Sequence, residues 1–178
     1  MAMLQSPSSP YPRTITLIGM MGVGKSTIGR RLASQLNMPF SDSDLEIEEA
    51  AGQSITEIFA RYGENYFRNG ERRVISRLIA GEPKVLAVGG GAFMDEETRK
   101  LVLEKTLAIW VKADIDTLAE RVTKQADRPL LIGHDVRTRL QELADIRDSF
   151  YAMAPLHVWT GAQPHEEIVD AIIMALPR

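Results

Sequence analysis

Between an apolar run, Ile15-Thr16-Leu17-Ile18, and a helical pattern carried by Ile28, Leu32 and Leu36 lies Gly19-Met20-Met21-Gly22-Val23-Gly24-Lys25-Ser26-Thr27. Every fixed position of the pattern G-x-x-x-x-G-K-[ST] is filled, and both flanks have the strand and helix that the pattern needs. Glycines let the backbone turn tightly and come close to a ligand, so that successive N–H groups point at phosphate oxygens. Lys25 then reaches the β- and γ-phosphates. Ser26, opening the helix, offers its hydroxyl to Mg²⁺, and the helix N-terminus adds its partial positive charge. Gly22, Val23, Gly24, Lys25, Ser26 and Thr27 are therefore the expected nucleotide-binding residues, and a nucleoside triphosphate is the natural ligand. A dinucleotide fingerprint is excluded, because Thr27 stands where G-x-G-x-x-G requires glycine or alanine.

Strand-like and helix-like patterns alternate along the rest of the chain, which argues for βαβ units and a parallel sheet covered on both faces. After the first strand and helix, Met38-Pro39-Phe40-Ser41 reads as a strand running out into Asp42-Ser43-Asp44. Carboxylates at that end of a parallel strand lie where open α/β sheets bind ligands. Ile55, Ile58, Phe59 and Tyr62 mark a helix capped by Ser54 and ended by Gly63, and a second helix is expected over 64–80. Val85-Leu86-Ala87-Val88 is a third strand, followed by Gly89-Gly90-Gly91. A helix over 95–104, a buried strand over 107–111 and a helix over 114–124 come next. Arg128-Pro129 and Gly133 break helical continuation, so 125–135 is expected to be a mobile loop. A helix over 136–151, a strand Leu156-His157-Val158-Trp159 and a closing helix through Ile168, Ala171, Ile172 and Ala175 complete five strands and their helices.

A chain of 178 residues suits one domain, assigned to 13–178 behind a disordered tail, 1–12, which holds three prolines and three serines. The tail has no basic segment followed by an apolar one, and no apolar run approaches the ~20 residues that span a bilayer. The expectations are thus a cytoplasmic protein with no membrane partner, and a monomer. A formal charge of −3 speaks against a nucleic-acid partner held by bulk electrostatics. The absence of cysteine rules out disulfides, thiolate metal sites and thiol nucleophiles.

Five separated stretches carry chemistry: the glycine-rich loop, Phe40-x-Asp42-x-Asp44, Phe67-Arg68-x-x-Glu71, Gly89-Gly90-Gly91-Ala92, and Arg128-Pro129-Leu130-Leu131 with Arg147 beyond it. Phosphoryl transfer asks a protein to position a hydroxyl in line with the γ-phosphate and to neutralise charge. Asp44 is the candidate to hold that hydroxyl and accept its proton, with Asp42 facing the Mg²⁺ shell. The plainer reading of Asp44 is a helix N-cap. Arg68 and Arg147 suit a substrate carboxylate, which a guanidinium binds through two parallel hydrogen bonds, and Glu71 at i+3 fixes Arg68. The plainer reading of each arginine is a solvated helix face. The three glycines allow a close approach of backbone to ligand, or form a simple turn. Glu46, Glu48 and Glu49 read as a solvated helix face, Trp110 as core, and His134 as the one histidine to watch.

Taken together these stretches resemble the shikimate kinases, P-loop kinases related to nucleoside monophosphate kinases, over nearly the whole chain from Thr14. The resemblance implies a three-layer P-loop NTPase fold with a five-stranded parallel sheet, a mobile lid and substrate-binding helices. It implies transfer of the γ-phosphoryl group of ATP to the 3-hydroxyl of shikimate. In such a kinase Lys25, Asp44 and Arg128 are catalytic, with Arg128 reaching over the phosphates when the lid closes. Ser26 and Asp42 hold Mg²⁺, and Asp44, Arg68, Gly89, Gly90, Gly91 and Arg147 bind shikimate. The chain departs from the family's usual Arg-x-Pro-Leu-Tyr, reading Arg147-Asp148-Ser149-Phe150-Tyr151. Two other readings stand: a gluconate- or nucleotide-kinase-like enzyme of the same architecture, and a nucleotide-dependent switch. The switch lacks its Asp-x-x-Gly and Asn-Lys-x-Asp sequences here.

Overall fold

The computed structural model describes residues 11–124, 133 and 135–178. The tail expected over 1–12 therefore lies outside the described residues up to residue 10. So does nearly all of the expected lid, with Arg128 and His134.

Five strands, β1 (Ile15–Ile18), β2 (Phe40–Asp42), β3 (Val85–Ala87), β4 (Leu107–Lys112) and β5 (Leu156–Trp159), form one parallel sheet in the order β2-β3-β1-β4-β5. The central strand β1 is buried throughout and pairs with both β3 and β4, placing Leu17 between Ala87 and Ile109. Parallel strands covered on both faces need apolar side chains on both sides, which is why β1, β3 and most of β4 read as unbroken apolar runs and not as alternation. The outermost strand β5 alternates half-buried and exposed positions instead.

The connecting helices are α1 (Lys25–Leu36), α2 (Ser43–Ala51), α3 (Ile55–Ala80), α4 (Glu96–Lys105), α5 (Ile115–Thr123), α6 (Val136–Tyr151) and α7 (His165–Ala175). The crossover through α1 leaves β1 toward β2, and the crossover through α4 runs the opposite way, from β3 past β1 to β4. Right-handed crossovers in opposite directions put α1 and α4 on opposite faces, giving three layers. One core of β1, β3, β4 and the inner faces of α1, α5, α6 and α7 joins them.

Local chemistry sets the helix starts. Asp95, Asp114 and Asp135 each accept a hydrogen bond from the backbone N–H three residues on, at Thr98, Thr117 and Thr138. Ser54 and Glu57 form a reciprocal capping box at the start of α3. Gly63, with φ 82° and ψ 175°, breaks the helical geometry inside α3 where the sequence places the end of a first helix. Helix α2 begins one residue after Asp42, so Asp42 and not Asp44 is its N-cap, accepting from the Asp44 and Leu45 N–H groups. Asp42 and Asp44 accordingly do not share an extended chain as the sequence reading has it. A short 3₁₀ turn, Ala92–Met94, follows the glycines and has no counterpart in that reading.

Candidate active site

The carboxyl ends of β1, β2 and β3 converge on two adjoining cavities, where open α/β sheets bind ligands. The first, of about 410 Å³, is lined by the loop residues Gly22, Gly24, Lys25, Ser26 and Thr27, by Asp42 and Asp44, and by Arg121, Lys124 and His165. The loop reaches this shape only with glycine. Gly22 and Gly24 have φ of 78° and 97°, and a Cβ on Gly22 falls 2.6 Å from Val122 of α5. The Lys25 ammonium lies back across the loop, donating to the Gly19 and Met20 carbonyls at 2.7 and 3.0 Å. The Ser26 hydroxyl donates to Asp42 Oδ2, while Oδ1 of the same carboxylate caps α2. One carboxylate thus ties the loop to the end of β2.

The second cavity, of about 200 Å³, is lined by Asp44, Glu48, Phe59, Phe67, Arg68, Glu71, Gly89, Gly90, Gly91 and Arg147. Met21, Asp44, Gly89 and Gly90 line both cavities, so the two share a wall that includes Asp44. The run of three glycines answers to the side chains around it. A Cβ on Gly89 falls 2.8 Å from Asp44 Oδ1 and 3.1 Å from Glu71 Oε2, and one on Gly91 falls 2.4 Å from an Arg68 nitrogen. Space, not a left-handed backbone, excludes larger residues here, because none of the three has a positive φ. The Gly89 N–H donates to the buried Ser43 hydroxyl at 3.2 Å, whereas those of Gly90 and Gly91 donate to no backbone carbonyl among the described residues.

Arg68 does not lie on a solvated face. It donates to Glu71 Oε1 at 2.8 Å from within the cavity wall, with Glu64 at 3.4 Å and the Phe67 ring below it. Glu71 is 2% exposed, and among the described residues its Oε2 has no hydrogen-bond partner. Burial pushes its carboxyl up to about 7; Arg68 and Arg147 pull it down, and Asp44 adds to the upward push. Arg147, 5% exposed on α6, likewise has a buried Nη1 without a partner among the described residues. Two complementary charged atoms left unpaired at the same wall are costly unless something enters to meet them.

Several residues here are missed by the sequence reading. Tyr151, one turn after Arg147, is fully buried among Phe93 and Trp110 and donates its hydroxyl to the Gly90 carbonyl. Burial pushes its phenol up to about 12, against the pull of Arg147, so it stays a donor at neutral pH. Its i+4 spacing from Arg147 was the signal available. Tyr151→Phe leaves the Gly90 carbonyl unpaired, at a cost of about 1–3 kcal/mol. We expect a lower Tm together with a raised KM for the acidic substrate, and an unchanged KM would show that Tyr151 supports only the fold. Arg121 donates to the Val23 and Gly161 carbonyls at 3.1 and 3.0 Å, fastening the loop to the segment after β5. No local pattern distinguishes it from other arginines of an amphipathic helix. Glu48 is not simply solvated: it lines the second cavity and accepts from the Ile55 N–H at 2.9 Å, linking α2 to α3. Trp110 is core, as expected.

The shikimate kinase family model matches residues 21–177. This chain belongs to the shikimate kinase family. A shikimate kinase of Caulobacter vibrioides is 55% identical over 164 residues, covering 92% of this chain and 82% of its own length. One from Novosphingobium aromaticivorans is 53% identical over 170 residues, covering 93% and 88%. Among solved structures, the shikimate kinase from Acinetobacter baumannii in complex with shikimate superposes with a TM-score of 0.90 at 32% identity, over 93% of each chain. Membership makes this chain an ATP-dependent kinase, and its α/β sheet with flanking helices has the P-loop fold of those structures. With the family shown, the readings as a gluconate or nucleotide kinase and as a switch fall away.

Proposed function

We propose that this enzyme transfers the γ-phosphoryl group of ATP to the 3-hydroxyl of shikimate, with ATP in the loop cavity and shikimate in the adjoining one. The observation that carries this assignment of the two ligands is that Asp44 stands on the wall common to both cavities, where acceptor hydroxyl and γ-phosphate must meet. Asp44 orients the hydroxyl and takes its proton as the bond to phosphorus forms. The loop N–H groups and Lys25 bind the phosphates, and the charge of Lys25 is available to them once it leaves the Gly19 and Met20 carbonyls. Arg68 and Arg147 hold the shikimate carboxylate, assisted by the Gly90 and Gly91 N–H groups.

The Ser26 hydroxyl and Asp42 carboxylate, already in contact, fit a hard cation that keeps several waters and takes one or two protein oxygens beside phosphate. These two residues would hold Mg²⁺, which would supply neutralisation of charge on the phosphoryl oxygens. Because one chain lines both cavities, we take the working unit to be a monomer, and its use of ATP suits the cytoplasm.

The direct test is ADP release with ATP and Mg²⁺, comparing shikimate, gluconate and nucleoside monophosphates as acceptors. Fast turnover with shikimate alone is expected; turnover with another acceptor and none with shikimate sinks the substrate-side assignments. Arg68→Lys keeps the charge and loses the forked contact, so KM for shikimate rises about tenfold or more with kcat little changed. Gly91→Ala produces a similar rise by displacing the Arg68 guanidinium. Unchanged KM values in both variants would remove Arg68 from the carboxylate clamp.

A further inference from the structure

The wall of the substrate cavity contains an imbalance of charge. Among the described residues, its charged side chains are the carboxylates of Asp44, Glu48 and Glu71 and the guanidiniums of Arg68 and Arg147. With all of them ionised the wall is already net negative, before an anionic substrate arrives. Glu48 and Asp44 are both half-buried, and one Glu48 oxygen is committed to the Ile55 N–H. Glu71 is the deepest of the three, at 2% exposure. Its Oε1 serves Arg68, whereas Oε2 meets no donor among the described residues and shares with Asp44 Oδ1 the small space over Gly89. Two carboxylates beside one small space, the deeper oxygen shut off from solvent, favour a proton on one of them.

We propose that Glu71 is protonated in the substrate complex, so that binding of the shikimate carboxylate between Arg68 and Arg147 is coupled to uptake of a proton by Glu71. This rests on the reading of those arginines as the carboxylate clamp. In the empty site the two guanidiniums hold Glu71 partly ionised. A substrate carboxylate draws on the same two positive charges and weakens their hold. The proton satisfies Oε2, leaves Oε1 as the acceptor for Arg68, and restores two negative against two positive groups on the wall. Glu71 is in this sense a positioning residue that keeps its hydrogen bond to Arg68 and gives up its charge when the substrate carboxylate arrives.

Among the described residues, Arg68 on its own helix opposes protonation and is shared with Glu64, Asp44 on α2 favours it, Arg147 on α6 opposes it, Glu48 of α2 lines the same cavity, and the Tyr151 phenol on α6 stays neutral. The position near neutrality of the empty-site carboxyl agrees with this balance, since a small change in the arginines' availability then moves the proton. The ligand carboxyl is fully ionised above about pH 6 and takes no part in the exchange.

The test is calorimetric titration of shikimate into the full chain, without nucleotide, in pairs of buffers that differ in ionisation enthalpy. Near pH 6 Glu71 is already largely protonated, and little uptake is expected. Near pH 8 a substantial fraction of one proton enters per shikimate bound, and above that pH the Kd weakens by up to about tenfold per unit. Glu71→Gln keeps an oxygen for Arg68 and cannot titrate, so uptake disappears and the Kd loses this pH dependence. Binding without proton uptake between pH 6 and 9 overturns the proposal, as does uptake that persists in the Gln variant. Failure of the clamp reading is distinguishable, since it leaves the Kd for shikimate unmoved by Arg68→Lys.

Discussion

Replacing Asp44 by alanine lowers kcat by about 10²–10⁴, the usual contribution of a positioned general base, and by more if orientation of the acceptor hydroxyl is lost as well. The KM for ATP changes little, because in the proposed arrangement the loop and Lys25, not Asp44, hold the phosphates. Truncation leaves the fold nearly intact: Asp44 is half-buried in the first turn of α2, and the cap of that helix belongs to Asp42. Initial rates over a range of both substrates separate these effects. Asp44→Asn then tests the proton-accepting part, since it keeps the shape and one acceptor oxygen but removes the negative charge. Near-normal turnover in the alanine variant would assign the base elsewhere and leave Asp44 as a first-turn acidic residue of α2.

Substitution of Lys25 by methionine lowers kcat/KM for ATP by about 10³ or more, through loss of a fixed charge in a site sheltered from water. The side chain is buried against its own loop, so its methylene stem still packs in the variant, while the Gly19 and Met20 carbonyls lose a donor. Circular dichroism and Tm accordingly register a modest loss of stability and an unchanged fold, against a large loss of rate. Shikimate binding measured without nucleotide is retained, because Lys25 lines only the loop cavity of the two. A variant that lost shikimate affinity as strongly as ATP affinity would mean that the loop and the substrate cavity fold as one unit.

The placement of elements was legible because its determinants are local. Apolar runs at β1, β3 and β4, the i, i+3, i+4 spacing on α1 and α3, and side-chain caps at Ser54 and Asp95 all act within a few residues of chain. The glycine-rich loop was legible for the same reason, since its chemistry is contained in one turn and the helix that follows. Asp42 shows where that reading stopped: cap and partner of Ser26 compete for the same few residues, and only the start of α2 decides which aspartate caps. Arg121, Tyr151 and Ser43 act through carbonyls or N–H groups far away in sequence, at Gly161, Gly90 and Gly89, and no local pattern encodes such a meeting.

By itself, then, the sequence determined an α/β domain, a triphosphate loop and the residue types that an acidic, hydroxyl-bearing substrate needs. Tertiary structure alone decided the strand order, the meeting of two cavities at Asp44, and the crowding of Glu71, Arg68 and Arg147 around three glycines. The physical reason is range. Backbone propensities, caps and turns are settled by neighbours in the chain. The charge state of a buried carboxyl, and the reason for a glycine with an ordinary φ, are settled by atoms that the fold brings from other helices.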